Sequence, residues 1–441
     1  KTITAIIGNP PYSTGQSSAN DMNENTHYEK LETSIREKYA KFTTVKNKNS
    51  LYDSYIKSFR WATDRIGESG IIGFVSNGQF IDSRAAEGLR KALYEEFNHL
   101  YIFNLRGDQR TIGEQSRKEG GKIFGSGSRT PVAISILVKD GSNINELHYH
   151  DIGDYLSQKE KLKIIEELSD ISSVDWDTIQ PDENNDWINQ RDLMYSSYPI
   201  LFGNNDDSIF IDKTTGITTA RDNWIVGFSK TNVKINTIKL IENYNTQVKE
   251  HGGKEVNQVK KDVIKDDNFV KWDDNLYILA SKNHLIKTDD SCLTQYLYRP
   301  FTKKWIWYDK QIIQRPRKFD KLLQSRNTFI YTTGGGAKYF SLIASDMMFD
   351  KGLMSSGQAF YFKTYENNLL FSSFENIKQS FADRLKLSLN DSFAYIYALL
   401  HSTEYQQKYN NDLKKDLARI PIVNNKEKYV EVGQKLMDLH L

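Results

Sequence analysis

Four residues near the start of the chain, Asn9-Pro10-Pro11-Tyr12, place a polar side chain, a backbone carbonyl and an aromatic ring in one short segment. Two consecutive prolines fix two φ angles and remove two backbone donors. Each also drives the residue before it away from helix. The segment is therefore stiff. If a planar amine rests on Tyr12, the Asn9 side-chain oxygen and the Pro10 carbonyl can accept its two N–H bonds. Its nitrogen lone pair then points at an electrophile, the alignment that group transfer needs. Taken alone, such a segment also fits an ordinary strand-to-loop turn with a buried tyrosine.

The segment needs a scaffold, and the flanking sequence provides one. Ala5-Ile6-Ile7 reads as a buried strand closed by Gly8. Leu51, Tyr55, Phe59, Ala62 and Ile66 share one face of a helix over 51–66. Ile71–Val75 is a short, continuously apolar strand, as expected when both faces are covered. Asp82 or Ser83 can cap the next helix, which runs to Phe97. Leu100–Leu105 and Pro131–Lys139 are further strands, the last suited to a closing antiparallel edge. This β-α-β-α-β alternation predicts a doubly wound parallel sheet of the Rossmann type, in part, with ligands at the carboxyl ends of its strands. Between the last two strands lies a basic, glycine-containing loop with Arg106 and Arg110, followed by Phe124.

Composition excludes several classes. There is no run of about 18 apolar residues and no signal-peptide pattern, so no membrane span is expected and a cytoplasmic setting is. Cys292 is the single cysteine, and the eight histidines show no paired ligand spacing, so no metal is expected. Lys and Arg total 59 against 57 Asp and Glu, a net charge of +2. Any nucleic-acid surface must then arise from local clustering. The opening strand stands within a few residues of Lys1, which suggests the C-terminal part of a larger polypeptide.

The remaining chain changes character twice. Residues 151–200 carry a charged helix, Leu156–Leu168, then an acidic stretch, and read as a helical spacer in which Trp176 and Trp187 pack. Residues 201–441 read as a mixed α+β domain. In it, Gly216–Trp224 includes Arg221 in a small polar loop that enters a strand. Tyr296–Tyr308 alternates aromatic and polar residues as a strand pair would. Arg299, Lys303, Lys304, Arg315, Arg317 and Lys318 lie in or just after it and form the clearest basic cluster of the chain. Such a cluster is a phosphate-binding surface or a solvated face. Gly334–Lys338 lacks the Gly-Lys-Ser/Thr spacing of a phosphate loop. Ser392–Leu413 is helical in period.

Asn9-Pro10-Pro11-Tyr12 resembles motif IV of S-adenosylmethionine-dependent amino-methyltransferases, in the form found in gamma-class N6-adenine DNA methyltransferases. Protein glutamine methyltransferases share it. Lys122–Arg129 looks like motif VIII of the same enzymes, with Phe124 at its aromatic position. With Leu51–Tyr55, Thr218–Trp224, Tyr298–Phe301 and Phe393–Tyr409, these stretches resemble type ISP restriction-modification enzymes over most of the chain. The resemblance implies residues 1–150 as the catalytic half of a methyltransferase and 201–441 as a DNA target-recognition domain. It implies Asn9, Pro10, Pro11, Tyr12 and Phe124 as the site that receives a flipped adenine. Double-stranded DNA is the implied substrate, with Arg106, Arg110, Arg221, Arg299, Lys303, Lys304, Arg315, Arg317 and Lys318 as its contacts. It implies S-adenosylmethionine as cofactor, whose glycine-rich main motif is expected upstream together with translocase and nuclease modules. Lacking that motif, this chain is expected not to methylate alone. Two other readings stay open: a sequence-specific DNA-binding module without catalysis, and a protein or RNA methyltransferase, which the basic, aromatic second half disfavours.

Overall fold

The computed structural model describes residues 3–12, 27–125, 128–204, 206–337, 339–365 and 373–441. Ser126 and Gly127 of the expected aromatic motif, and Lys338 after the glycine run, lie outside them. The chain divides into two compact units, Lys1–Arg191 and Asp192–Leu441.

The first unit is built on one six-stranded sheet: β1 (Ile3–Gly8), β2 (Ile66–Asn77), β3 (His99–Asn104), β4 (Val132–Lys139), β5 (Glu146–Asp151) and β6 (Asp177–Ile179). Their spatial order is β1-β2-β4-β3-β5-β6. β1 runs parallel to β2, and β3 parallel to β5, while β4 is antiparallel to both β2 and β3. The sheet is thus mixed rather than parallel throughout. β4, expected as the closing antiparallel edge, lies in the middle, and β6, antiparallel to β5, stands at an edge instead. The residues of β4 explain this: Val132, Ala133, Ser135 and Leu137 are buried and the rest half-buried. A strand apolar on both faces belongs inside a sheet.

Helices α1 (Glu29–Lys38), α2 (Ser54–Thr63) and α3 (Glu87–Glu96) supply one core. Ile35, Tyr55, Ile56, Phe59, Leu89 and Leu93 pack there with Ile72, Phe74, Leu100, Ile102 and Leu137 of the sheet. The helix expected over 51–66 is shorter because Asp53 is extended and Ile66 already opens β2. Neither Asp82 nor Ser83 caps α3, whose N-cap is Ala86. On the opposite face, near β1, no described element covers the sheet: Ile7 is 88 % exposed, and Ile3 and Ile71 are exposed too.

Residues 151–191 are not a separate spacer. β6 pairs with β5, and Trp187 is buried edge-on against Phe80. Arg90 and Asp186, both fully buried, form an ion pair at 2.9 Å. The Arg90 guanidinium also donates to the carbonyls of Phe80, Ser83 and Asn185. Desolvating an ion pair is tolerable only when every donor is satisfied in this way. The polar composition that suggested a linker is a buried network instead.

The second unit has two apolar cores. One underlies a three-stranded sheet of order β7-β9-β8, formed by β7 (Val226–Gly227), β8 (Leu293–Arg299) and β9 (Thr302–Trp307), and is flanked by the long helix Lys230–His251. The other contains the helix Leu389–His401, nearly all of whose side chains are buried, with Tyr395 and Tyr397 fully so. Among the described residues no helix is long and apolar enough to cross a membrane.

Candidate functional site

Because β1, β2, β3 and β5 share one direction and β4 opposes them, Gly8, Asn77, Asn104, Asp151 and the start of β4 come to the same sheet end. The Asn9 loop leaves from there. Gly8 lets the backbone pass close to Phe74: a Cβ at this position would lie 3.2 Å from the Phe74 ring, so the ring would have to shift by a few tenths of an ångström. Pro10 is buried while Asn9 is exposed, and Asn9 hydrogen-bonds to no described residue. Tyr12 is pinned at its far end, its hydroxyl donating to the Val75 carbonyl at 3.0 Å. Desolvation pushes that hydroxyl up to about 12, so it stays a neutral donor.

The structure brings Phe124 to Tyr12, with ring centroids 5.6 Å apart and planes tilted by 54°. Both rings lie over the apolar cluster of Phe103, Leu105, Ile123, Val132 and Ile152. A base held between two rings needs them roughly 7 Å apart, twice a carbon contact distance of about 3.5 Å. The two rings touch, so a base must part them or rest on one face and meet the other edge.

The basic residues around this loop are engaged by the scaffold. Arg106, at φ +55°, donates to Asp151 at 2.6 Å and to Asp154. Arg110 is held by both oxygens of Asp108 at 2.9 and 3.1 Å. These two, expected as DNA contacts, also tie the loop between β3 and β4 to nearby aspartates. A further clamp, absent from the sequence reading, is Lys161. Its ammonium is buried and donates to the carbonyls of Leu105, Glu119 and Gly121 at 2.7–2.9 Å. Burial pushes it down to about 8, while three carbonyl acceptors favour the charged form. In sequence it was one lysine of a charged helix.

In the second unit Arg221 is a correction. It is 1 % exposed, paired with Asp273 at 2.9 Å and bonded to the Lys271 carbonyl. Burial, the largest effect, pushes its guanidinium below the ordinary value, against the Asp273 charge. It braces the loop before β7 and does not face solvent.

The other six basic residues cluster around the β8–β9 hairpin and the segment after it. The hairpin turns through Pro300 and Phe301, with Arg299 opposite Thr302. Phe301 is 76 % exposed and sits at φ +58°, a strained conformation for a bulky residue. Tyr298 lies between two cations, the Arg299 guanidinium at 4.0 Å and the Lys304 ammonium at 3.6 Å. Lys304 also lies over exposed Phe228, and Lys230 over Trp305. Phe228 and Lys230 were not singled out from sequence, because only the β7–β9 pairing brings them to Trp305 and Lys304. Arg299 pairs with Asp350 at 2.9 Å and Lys318 with Asp212 at 3.3 Å. Lys303 and Arg315 are exposed and have no ion pair with a described residue. Arg317 is half-buried at φ +64°, with its Nε unpartnered. Burial first, and then Arg315, lower its pKa. Arg315 exchanges two backbone hydrogen bonds with Thr218. That brings the basic segment beside a cleft of about 440 Å³ lined by Thr218, Ala220, Asp222, Asp350, Lys351 and Ser356.

By its architecture the chain is a mixed α/β unit with an aromatic polar loop, followed by a second unit that concentrates cations among aromatic rings. Residues 208–441 match the Type ISP C-terminal specificity domain, and the chain belongs to that family. No curated protein matches it. Among solved structures it is similar to a nuclease-deletion mutant of the Type ISP restriction-modification enzyme LlaGI in complex with a DNA substrate mimic, at 47 % identity and a TM-score of 0.81. It is similar to the ATP-dependent Type ISP enzyme LlaBIII bound to DNA at 35 % identity and 0.82, and to DrdV in its DNA complex at 28 % and 0.80. Each match covers 100 % of this chain but only 35 %, 30 % and 44 % of the respective partner chain.

Proposed function

We propose that this chain supplies the base-receiving loop and the target-recognition surface of a DNA N6-adenine methyltransferase within a type ISP restriction-modification enzyme. The observation that carries this reading is the Asn9–Tyr12 loop at the carboxyl ends of the parallel strands. Its polar side chain is exposed and bonded to no described residue, and Tyr12 is fixed beside Phe124. An adenine must leave the helical stack to arrive there. Asn9 and the Pro10 carbonyl accept the two N–H bonds of its amine, Tyr12 supports a ring face, and Phe124 shifts or meets the ring edge. The hairpin cations and the Arg315–Lys318 segment hold the duplex. Phosphate contacts fix the register, and base-edge contacts carry the sequence choice.

The residues present answer to the methyl acceptor and not to the donor. S-adenosylmethionine is implied by the resemblance, yet among the described residues no parallel strand turns through closely spaced glycines directly into a helix: β1 leads to Asn9-Pro10, β2 to a 3₁₀ turn at Gly78–Ile81, β3 to Arg106 and a loop before the helix Gly113–Glu119, and β5 to a loop with the single glycine Gly153 before the helix Gln158–Glu167. No step is therefore assigned to the cofactor. Kinship of the mixed sheet to Rossmann-like methyltransferases belongs to the same proposal. So does the partnership with an upstream cofactor-binding half and with translocase and nuclease modules.

The test is Asn9→Ala and Tyr12→Ala in the complete enzyme, with a duplex carrying 2-aminopurine at the target adenine. Asn9→Ala lowers methyl transfer by at least ~100-fold, the scale of a misplaced reactant, with duplex affinity retained. Tyr12→Ala lowers the fluorescence change that reports the extruded base. Unchanged methylation in Asn9→Ala overturns the reading. That no glycine-rich donor turn is found among the described residues also favours a second reading, a DNA-recognition module alone. Stoichiometric binding of S-adenosylmethionine to this chain by calorimetry would exclude it.

A further inference from the structure

Away from the Asn9 loop, at the opposite end of the strands, the parallel pairing of β3 with β5 sets His99 beside Glu146 and Tyr101 beside His148. All four side chains leave the sheet on the face away from α1–α3, since Leu100, Ile102 and Leu147 fill the helical core. His99 Nδ1 and His148 Nε2 lie 3.2 and 3.3 Å from the same Glu146 oxygen. The three potential ligand atoms are all within 4.8 Å of one another. Ligands about 2.1 Å from a tetrahedral zinc ion stand roughly 3.4 Å apart, close to the two shorter separations.

The outer nitrogens are provided for as well. His99 Nε2 is 3.1 Å from an Asp140 oxygen. His148 Nδ1 is 3.4 Å from the Thr178 hydroxyl on β6. With the protons on those outer nitrogens, both inner nitrogens present lone pairs toward Glu146. A carboxylate behind a ligand histidine is the arrangement that orients the ring and raises its basicity. Tyr101 stacks on the His148 ring at 4.6 Å and fixes its plane. Both imidazoles are mostly buried while Glu146 is half exposed, so a fourth position is open to water.

We propose that His99, Glu146 and His148 form a binding site for a divalent transition-metal ion of the zinc class, with Asp140 and Thr178 as positioning residues. The two histidines stand 49 positions apart in sequence, and only the strand register joins them. The ion ties β3 to β5 at the sheet end farthest from the loop.

The test uses the full 441-residue chain, stripped by a chelator and titrated with Co²⁺ followed by Zn²⁺. One equivalent of Co²⁺ gives a visible d–d absorption that one equivalent of Zn²⁺ abolishes. His148→Gln and Glu146→Gln each weaken binding by ~100-fold or more. Asp140→Asn, on an exposed turn where misfolding is not a concern, weakens it by about 10–100-fold, as loss of an outer partner does. No saturable absorption, or equal binding by the wild type and the Asp140→Asn and Glu146→Gln chains, overturns the site and leaves a metal-free hydrogen-bonded His-Glu-His chain.

Discussion

The loop between β3 and β4 and the β8–β9 hairpin both read as basic in sequence, yet they use charge in opposite ways. In the first, Arg106 and Arg110 face aspartates and Lys161 faces three carbonyls. In the second, Arg299 and Lys318 pair with Asp350 and Asp212, but Lys303 and Arg315 face solvent with no ion pair to a described residue, and the Arg317 Nε has no described partner and lies beside a like charge. A cation that is already paired contributes to the fold and has little left for a ligand. An unpaired one contributes nothing to the fold and keeps its whole charge for an anion. Counting lysines and arginines along a chain does not separate the two. Counting the acidic groups and carbonyls that converge on each does.

Substitutions sharpen the contrast. The largest effect belongs to the deepest pair. Arg90→Met leaves Asp186 with Arg191 as its remaining arginine partner and strands the carbonyls of Phe80, Ser83 and Asn185, and should cost roughly 3 kcal/mol, the lower end for breaking a buried ion pair; chemical denaturation of the chain reads it directly. If stability hardly changes, the buried network is not what holds residues 151–191 to the first unit. The middle effects should separate cleanly by observable. Arg106→Gln loses charged hydrogen bonds in a half-exposed site and should cost about 1–2 kcal/mol of stability, with the salt slope of DNA binding unmoved. Lys303→Ala and Arg315→Ala should leave the melting temperature alone and each lower that slope by about one unit. Exchange of these two outcomes would reverse the assignment of scaffold and surface.

The smallest effect concerns pH. His401, on the helix Leu389–His401, is held neutral by burial, and next by the neighbouring His440, with its pKa pushed down to about 4. Unfolded, it takes a proton near 6.5. Between those values the unfolded chain binds more protons, so stability falls as pH drops from about 6.5 to about 4. His401→Phe should flatten this part of the pH–stability curve by on the order of 1 kcal/mol, discounted for partial exposure. An unaltered acid limb would mean that other groups set it.

Much of the first unit was legible because its signals are local. The apolar runs and the stiff Asn9 loop needed only spacing and residue type, while Phe124 was singled out through the resemblance and lies against Tyr12. What escaped was set by partners distant in sequence. The central place of β4 depends on which strands it meets, and its run of apolar residues fits an edge only if burial on both faces is ignored. Residues 151–191 looked like a linker because Asp182 and Asp186 are polar; the arginines that neutralise Asp186 are Arg90, far upstream, and Arg191. Arg221 read as a surface cation because its partner Asp273 lies beyond a long helix. The hairpin was visible from its alternation, but the cation–aromatic contacts of Phe228 and Lys230 required the β7 pairing.

The side of β1 that no described element covers has a practical consequence. Ile3-Thr4-Ala5-Ile6-Ile7-Gly8 carries no charge and no proline, and no described strand pairs with its outer edge. Natural sheets blunt such edges with lysine, proline or a covering element. Left open, this one is a template on which a second molecule can extend the sheet, with Ile7 at the seam. Where no further segment covers this edge, the chain handled by itself is expected to self-associate as its concentration rises. A charged substitution at Ile7 guards against it, as does a covering segment supplied in trans.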